Sequence, residues 1–594
     1  MAKLRTIGIA ILGVGLVASA GCKKKKADDG SGSASGGSAA SGAGGAGGGG
    51  TASGGSGAGT DTTSNAGSGA VAALKPVSDC PKTLTGNDTG LDRTIKKECG
   101  TVVVDGDYSV EGQLTIEAGV KLEFRPGASM NVGYNTPTKL IIKGTAQEPV
   151  TFTSGGDKVA AAWKGVHLYA NAARSTIDGL VLEFGDNGQG ALLIDAIDVA
   201  ITNTTIRDAK EFGLYVGNEG SITGGTGLTF ERAGKIAASF PANGIGGLGA
   251  GNTFKDGFVQ IRPGVVDTDA TWKNPGAYYL VEGGVDVNGK NTRSTLTIEA
   301  GAEFRFKPDG YLEVGYNTAA AVVVKGTKDK PVVLRGDADG EWRGIGTQAN
   351  GELTIEGATV TGGGQDDDHG AVYAKAGTLT VKDVAFAKNK IGLTATADAK
   401  LKAVTGASFD GKAWKLAPDQ IGALDGTNTY AAGAIGEIIN GTVAHDQTWV
   451  AQAGAEVHVS GDVGVEGGTL TIGPGVELRF DNCQLQAGYG AKGTLKIVGS
   501  ADKPVVLRGL RDEKDAWTGV VFNASSNDNV IENAQIKDVS GDTAVTVHGA
   551  IKADLKNVTF KRVAAGVGYD CDSKVTQAGL KMDGGGKPEK KPSC

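Results

Sequence analysis

Apolar residues in this chain fall in runs of three to five, alternating with polar positions or standing together, and most are Leu or β-branched. Helical periodicity is almost absent. Early runs are Leu114–Ile116, Leu140–Ile142, Gly165–Leu168, Ala191–Ile194 and Gly213–Val216, with alternating segments such as Val199–Ile201 between them. Such runs predict short strands that each turn one face to a core. They recur at about 22 to 26 residues, the length of one coil of a parallel β-helix with two or three strands per coil. A single coil cannot bury its apolar face; stacking on neighbours can.

A longer period lies over the short one. LTIEAGVKLEFRPG from Leu114 returns as LTIEAGAEFRFKPD from Leu296 and LTIGPGVELRFDNC from Leu470. Each copy continues through Gly-Tyr (Tyr134, Tyr316, Tyr489), a KG or VG step, Pro-Val, and Trp-x-Gly (Trp163, Trp342, Trp517). Judged by Gly119, Gly301 and Gly475, the copies stand about 175 residues apart, too long for immunoglobulin-like sandwiches and far too long for propeller blades. In the second half of each copy Asn203, Asp383 and Asn557 align between two runs. Asn and Asp tolerate the left-handed conformation that a sharp strand-to-strand corner needs.

The expected organisation is a repeat over 71–270 with an N-terminal cap, a second over 271–440, and a third over 441–594 with a C-terminal cap. Phe240 to Lys273 and Leu424 to Val450 are less regular and are candidate joints, so one solenoid and three short ones both remain open. The order TIEAG, GT, Pro-Val, Trp-x-Gly and Asn corners, over about residues 100 to 580, resembles bacterial secreted right-handed parallel β-helix proteins of pectate-lyase-like fold. Many of these are lipoproteins or surface proteins. That resemblance implies an all-β solenoid and little about activity, since the fold hosts lyases, hydrolases, adhesins and binders.

The N-terminus has a separate reading. Lys3 and Arg5 precede a short apolar run to Ala18, and the segment ends Ser19-Ala20-Gly21-Cys22. This resembles a bacterial lipoprotein signal (1–21), although Ser19 stands where Leu is usual, and implies lipidation of Cys22. An ordinary secretory signal with a chance Cys is the alternative. Lys23 to Lys26 would then lie at anionic headgroups or form a plain solvated run. Lys23, not Asp, follows the Cys, which by the same resemblance favours the outer membrane. Residues 27–70 are almost all Gly, Ser, Ala and Thr, a disordered linker with a reach on the order of 35–40 Å.

Net charge of -7 with interspersed signs offers no basic face, so nucleic acid is not an expected partner. Gly is abundant, at 99 residues, as tight turns between strands require. Beyond Cys22, the cysteines permit a staple at each end of the folded part, Cys80 with Cys99 and Cys571 with Cys594, leaving Cys483 as a buried thiol. No CxxC, Cys/His cluster or HExxH occurs, so no metal or cofactor is expected.

One loop carries chemistry-bearing letters: Gly364-Gln-Asp-Asp-Asp-His-Gly370, with Asp366, Asp367, Asp368 and His369. Pectin-degrading hydrolases of this fold carry similar motifs, but their acids come from different coils. Consecutive acids cannot converge in that way, and the other copies read as polar turns there. Arg335 and Arg508 follow Pro-Val-Val-Leu in two copies, with Thr153 in the first, and read as solvent-facing bases. The recurring Tyr and Trp are either sugar-stacking surfaces or, as recurrence favours, aromatics packed over coil corners. The expected function is a lipid-anchored, non-enzymatic envelope module that binds glycan, matrix or a protein. The alternatives are a polysaccharide lyase or hydrolase, and a purely architectural stalk.

Overall fold

The computed structural model describes residues 73–590. The expected lipoprotein signal, Cys22 and the expected linker to Ala70 lie outside the described residues, as does Cys594. From Leu74 onward the chain forms one compact unit, a parallel β-solenoid of about 21 turns with almost no helix.

A coil consists of three short strands, here named lines a, b and c. In the first regular coil these are Lys121–Phe124, Ser129–Val132 and Lys139–Lys143. The next coil lays Val150–Ser154, Val166–Leu168 and Thr176–Asp178 directly on them in parallel. Alternation explains the section: Leu122 and Phe124 point inward and are fully buried, while Lys121 and Glu123 point out. Like residues stack from coil to coil, as in Ile116 on Ile142 on Ile177. Each such aliphatic side chain contributes roughly 1.5–3 kcal/mol when fully buried.

The recurring motifs have local causes. The glycine of each KG or VG step passes the next coil so closely that a Cβ on Gly144, Gly326 or Gly499 would lie 2.0, 1.9 or 2.3 Å from a backbone oxygen. Asn203, Asp383 and Asn557 have φ of 48°, 52° and 56°, the left-handed corners that the sequence predicts. Trp163, Trp342 and Trp517 are buried and stack on Phe124, Phe306 and Phe480 at 3.8, 4.2 and 4.2 Å. Their indole N–H groups donate to the carbonyls of Glu183, Thr361 and Lys537. The Trp of each repeat therefore belongs to the core.

The two irregular intervals are joints inside one solenoid. At the first, the 3₁₀ segment Ala242–Gly247 takes the place of a line c strand. At the second, Pro418–Ala423 does the same. Line a then stops, on Phe254 stacked over Phe230 and on Tyr430 stacked over Phe409. Line b continues unbroken and becomes line a of the following repeat: Ile236–Pro241 pairs with Val259–Arg262, then Tyr279–Val281, then Glu303–Phe306. The second joint repeats the handover through Lys412–Leu416, Ile435–Ile438, Glu456–Val459 and Glu477–Phe480. Successive repeats are therefore turned by one face of the three-sided stack.

Cys80 and Cys99 form a disulfide at the N-terminal end, with Cα atoms 4.9 Å apart. Cys571 is disulfide-bonded. Cys483 is buried, and its thiol donates to the Val459 carbonyl.

Candidate functional site

Two surface features stand out, one present in every repeat and one confined to the second. The first is the Gly-Tyr corner between lines b and c. The Gly residues at 133, 315 and 488 have φ of 71°, 74° and 69°, and a Cβ on them would meet backbone of the next coil within 2.6, 2.1 and 2.1 Å. That turn throws the following side chain outward. Tyr134, Tyr316 and Tyr489 are 62, 62 and 72% exposed. The expectation that recurring aromatics pack over the corners therefore holds for Trp and fails for Tyr, because the left-handed glycine reverses the direction of the next residue.

Each Tyr corner is fastened from the coil beneath. The buried Glu111 carboxylate accepts from the backbone N–H of Asn135 and from both the N–H and the hydroxyl of Thr136. Asn288 accepts from the Asn317 N–H at 3.1 Å in the second copy, and Glu466 lies against Gly490 in the third. Just before each corner a polar side-chain pair joins two coils. Tyr169 donates to Asn131 (3.4 Å), Gln348 to Glu313 (2.7 Å) and Asn523 to Gln486 (3.4 Å). These occupy identical places in the repeat: two residues before the Gly, and six after the Trp. Tyr134 also meets the Tyr169 ring edge-on at 4.9 Å. A solvent-facing ring on a turn that also carries polar side chains offers an apolar face and polar groups on one corner.

The second feature lies on line b of the middle repeat. Glu313, on Tyr311–Val314, is 5% exposed. It accepts from the Tyr373 phenol at 3.0 Å, two coils away, and lies 3.8 Å from the Arg343 guanidinium. Arg343 also sits over the Tyr311 ring. Gly346, in the intervening coil, has no side chain, and that absence gives the Tyr373 ring its place. Burial, and then the charge of Glu313, push the Tyr373 phenol well above its ordinary range. Burial and the same carboxylate raise Asp286, the neighbour of Glu313 on the preceding strand, while Arg343 opposes them.

The acidic loop borders this cluster. His369 is nearly buried, meets the Tyr373 ring edge-on, and has Nε2 3.5 Å from Arg343 Nη2. Its Nδ1 lies 2.7 Å from Asp366, which also accepts the backbone N–H groups of Asp368 and His369. Burial works to raise Asp366, but these donors outweigh it and hold the carboxyl below its usual range. Asp366 thus closes a turn, as Asp186 does in the corresponding loop of the first copy, accepting from Gly188 and Glu211. Asp367 and Asp368 line a groove of about 300 Å³ with Lys375, Thr394 and Lys415.

The four loop residues do not converge on a point. His369 pairs with Asp366 of its own loop and reaches Arg343 of the preceding coil, a juxtaposition that no local spacing announces. Arg335 lies 3.6 Å from Glu303 and Arg508 2.9 Å from Glu477, so both belong to ion pairs on line a. Among the described residues, no group of three or more His, Cys, Asp or Glu side chains is arranged to hold a metal ion. In chemical terms the cluster is a carboxylate whose neighbours already donate to it, and the Tyr corners are open surfaces. No family model matches the chain, and no curated protein matches it.

Proposed function

We propose that this chain is a lipid-anchored cell-envelope protein whose β-solenoid binds glycan through its tyrosine corners. Export by the N-terminal signal, acylation at Cys22 and a Gly/Ser-rich tether fit an outer-membrane protein on the periplasmic or cell-surface face. The observation that carries the reading is threefold: an exposed ring, a backbone turn that holds it out, and an inter-coil polar pair two residues before the turn glycine, in every repeat. Sugars present apolar C–H faces and hydroxyl edges, which such a corner complements. A nucleic-acid ligand has no basic face to meet.

The test is retention of the full chain, purified in detergent, on immobilised dextran, curdlan, chitin, alginate and polygalacturonate, with and without calcium. The combined Tyr134→Ala, Tyr316→Ala and Tyr489→Ala variant should lose retention while keeping the wild-type melting profile. Equal retention of wild type and variant would sink the corner reading.

Enzymatic cleavage of a polysaccharide is the second reading. It is favoured by the convergence of Glu313, Tyr373, Arg343 and His369 on an outward strand line. Shortened chains in the same incubations, abolished by Glu313→Gln, would establish it. Neither retention nor cleavage would leave an architectural stalk or a protein partner.

A further inference from the structure

The handover of strand lines fixes how the tyrosine corners are distributed. From the strand before Tyr134, line b climbs seven rungs to Glu303–Phe306, the strand preceding the Tyr316 strand in its own coil. From the Tyr316 strand, line b again climbs seven rungs to Glu477–Phe480, which stands in the same relation to the Tyr489 strand. At about 4.8 Å per rung, consecutive corners lie roughly 34 Å apart along the stack. Each is also turned by one face from the last. The three rings therefore follow a screw, and no two lie on the same edge of the stack.

An extended polysaccharide running along one edge of the stack meets one corner only. Linked sites add avidity only when geometry lets one ligand engage them together, and here a single chain would have to cross a face obliquely over a rise of roughly 34 Å to do so. The corners also share no charge: the strand residue of the polar pair is Asn131 in one, Glu313 in the next and Gln486 in the third. What they share is the ring and its polar partners, which selects uncharged sugar faces.

We propose that the three corners hold three separate neutral glycan chains, so that one molecule cross-bridges the polymer it binds. This rests on the glycan reading of the corners given above. Full chain in detergent is mixed with dextran, curdlan or chitin beads, each type prepared in two colours. Wild type is expected to form two-colour aggregates on at least one bead type. A variant retaining only Tyr316 (Y134A with Y489A) should still be captured by single beads, with an affinity within about threefold of wild type for a short oligosaccharide of the same sugar, but should not aggregate them. Soluble oligosaccharide should bind three per wild-type chain and one per variant chain.

Capture without aggregation by wild type would overturn cross-bridging and keep glycan binding. So would loss of all capture on changing any single tyrosine, which would mean that one wrapped chain spans the corners. Absence of capture on every bead type would overturn both readings. Because each ring is more than half exposed, its loss should change stability by no more than about 0.5 kcal/mol, so a failed aggregate is not a failed fold.

Discussion

At the residue scale the repeat motifs divide by what their side chains meet. Gly326 has no room for a side chain: an added Cβ would lie 1.9 Å from the Gly357 oxygen, a backbone atom held by coil stacking. Gly326→Ala should cost about 3 kcal/mol or more, the upper end of overpacking. Gly426→Ala meets nothing within 4 Å and should be neutral or slightly stabilising. Denaturant midpoints of the two variants check the contrast, and equal midpoints would refute it. His167 offers a pH test. Burial depresses its pKa, against the pull of Asp195 at 2.8 Å, and its ring stacks on Tyr169. The folded state then favours the neutral ring, so the unfolded state binds more protons as pH falls. This contribution is full above the unfolded value of 6.5 and is lost as pH drops from there through the folded value. His167→Gln should therefore lose less melting temperature than wild type between pH 7.5 and pH 5.5; parallel losses would show that the ring is not coupled to folding.

At the element scale the joints decide how one repeat becomes the next. Both carry a shared signature, Ile-Gly-x-Leu followed by Asn-Thr-aromatic: Ile245, Leu248, Asn252 and Phe254, then Ile421, Leu424, Asn428 and Tyr430. Each Asn is buried and bonds three backbone groups. Asn428 accepts from the Ala407 N–H and donates to the carbonyls of Val404 and Asp425. Asn428→Ala leaves the Ala407 N–H of the preceding coil without its partner, at about 1–3 kcal/mol, while the Val404 carbonyl keeps the Asp425 N–H. In a solenoid whose coils touch only their neighbours, that loss should uncouple the two sides, and the single unfolding transition should split. A single transition at a lower midpoint would place the joint's stability elsewhere. The individual strands were legible from alternation: all five early runs are strands. Their assignment to lines was not, because Leu114–Ile116 and Leu140–Ile142 lie on line c, whereas Gly165–Leu168 and its successors lie on or lead into line b. A strand's register says which side faces in. It does not say which side of the triangle the strand forms.

At the scale of the whole solenoid, the sequence carried the repeat count and the coil length, while the turn between repeats came only with the pairings. Strand lines are defined by partners 20 or more residues away, and no local pattern records them. The same distance hid the Glu313–Tyr373 contact, which spans 60 residues. The tyrosines misled for another reason: recurrence of an aromatic reads as core, and only the φ of the preceding glycine reverses it. If the joints alone set the turn, one whole repeat is a removable part. Deleting residues 249–424 fuses Leu248 to Asp425, so the second joint's continuation follows the first joint's 3₁₀ segment. Thr429–Tyr430 would then lie on Thr229–Ala233, where Thr253–Phe254 lies now, and Ile435–Ile438 on Ile236–Pro241, where Val259–Arg262 lies now. The shortened chain should fold to a cooperative β-solenoid whose two remaining tyrosine corners keep one screw step between them. Deleting 249–405 instead brings in a line a strand, Ser408–Phe409, followed by the whole second joint directly after the first, and buries its apolar positions out of phase. Far-ultraviolet circular dichroism and thermal melts of the two deletions, each in the full chain, decide the matter. A folded 249–424 deletion beside an unfolded 249–405 deletion makes the joint the unit of architecture, and the reverse result would show that the turn is written throughout each repeat.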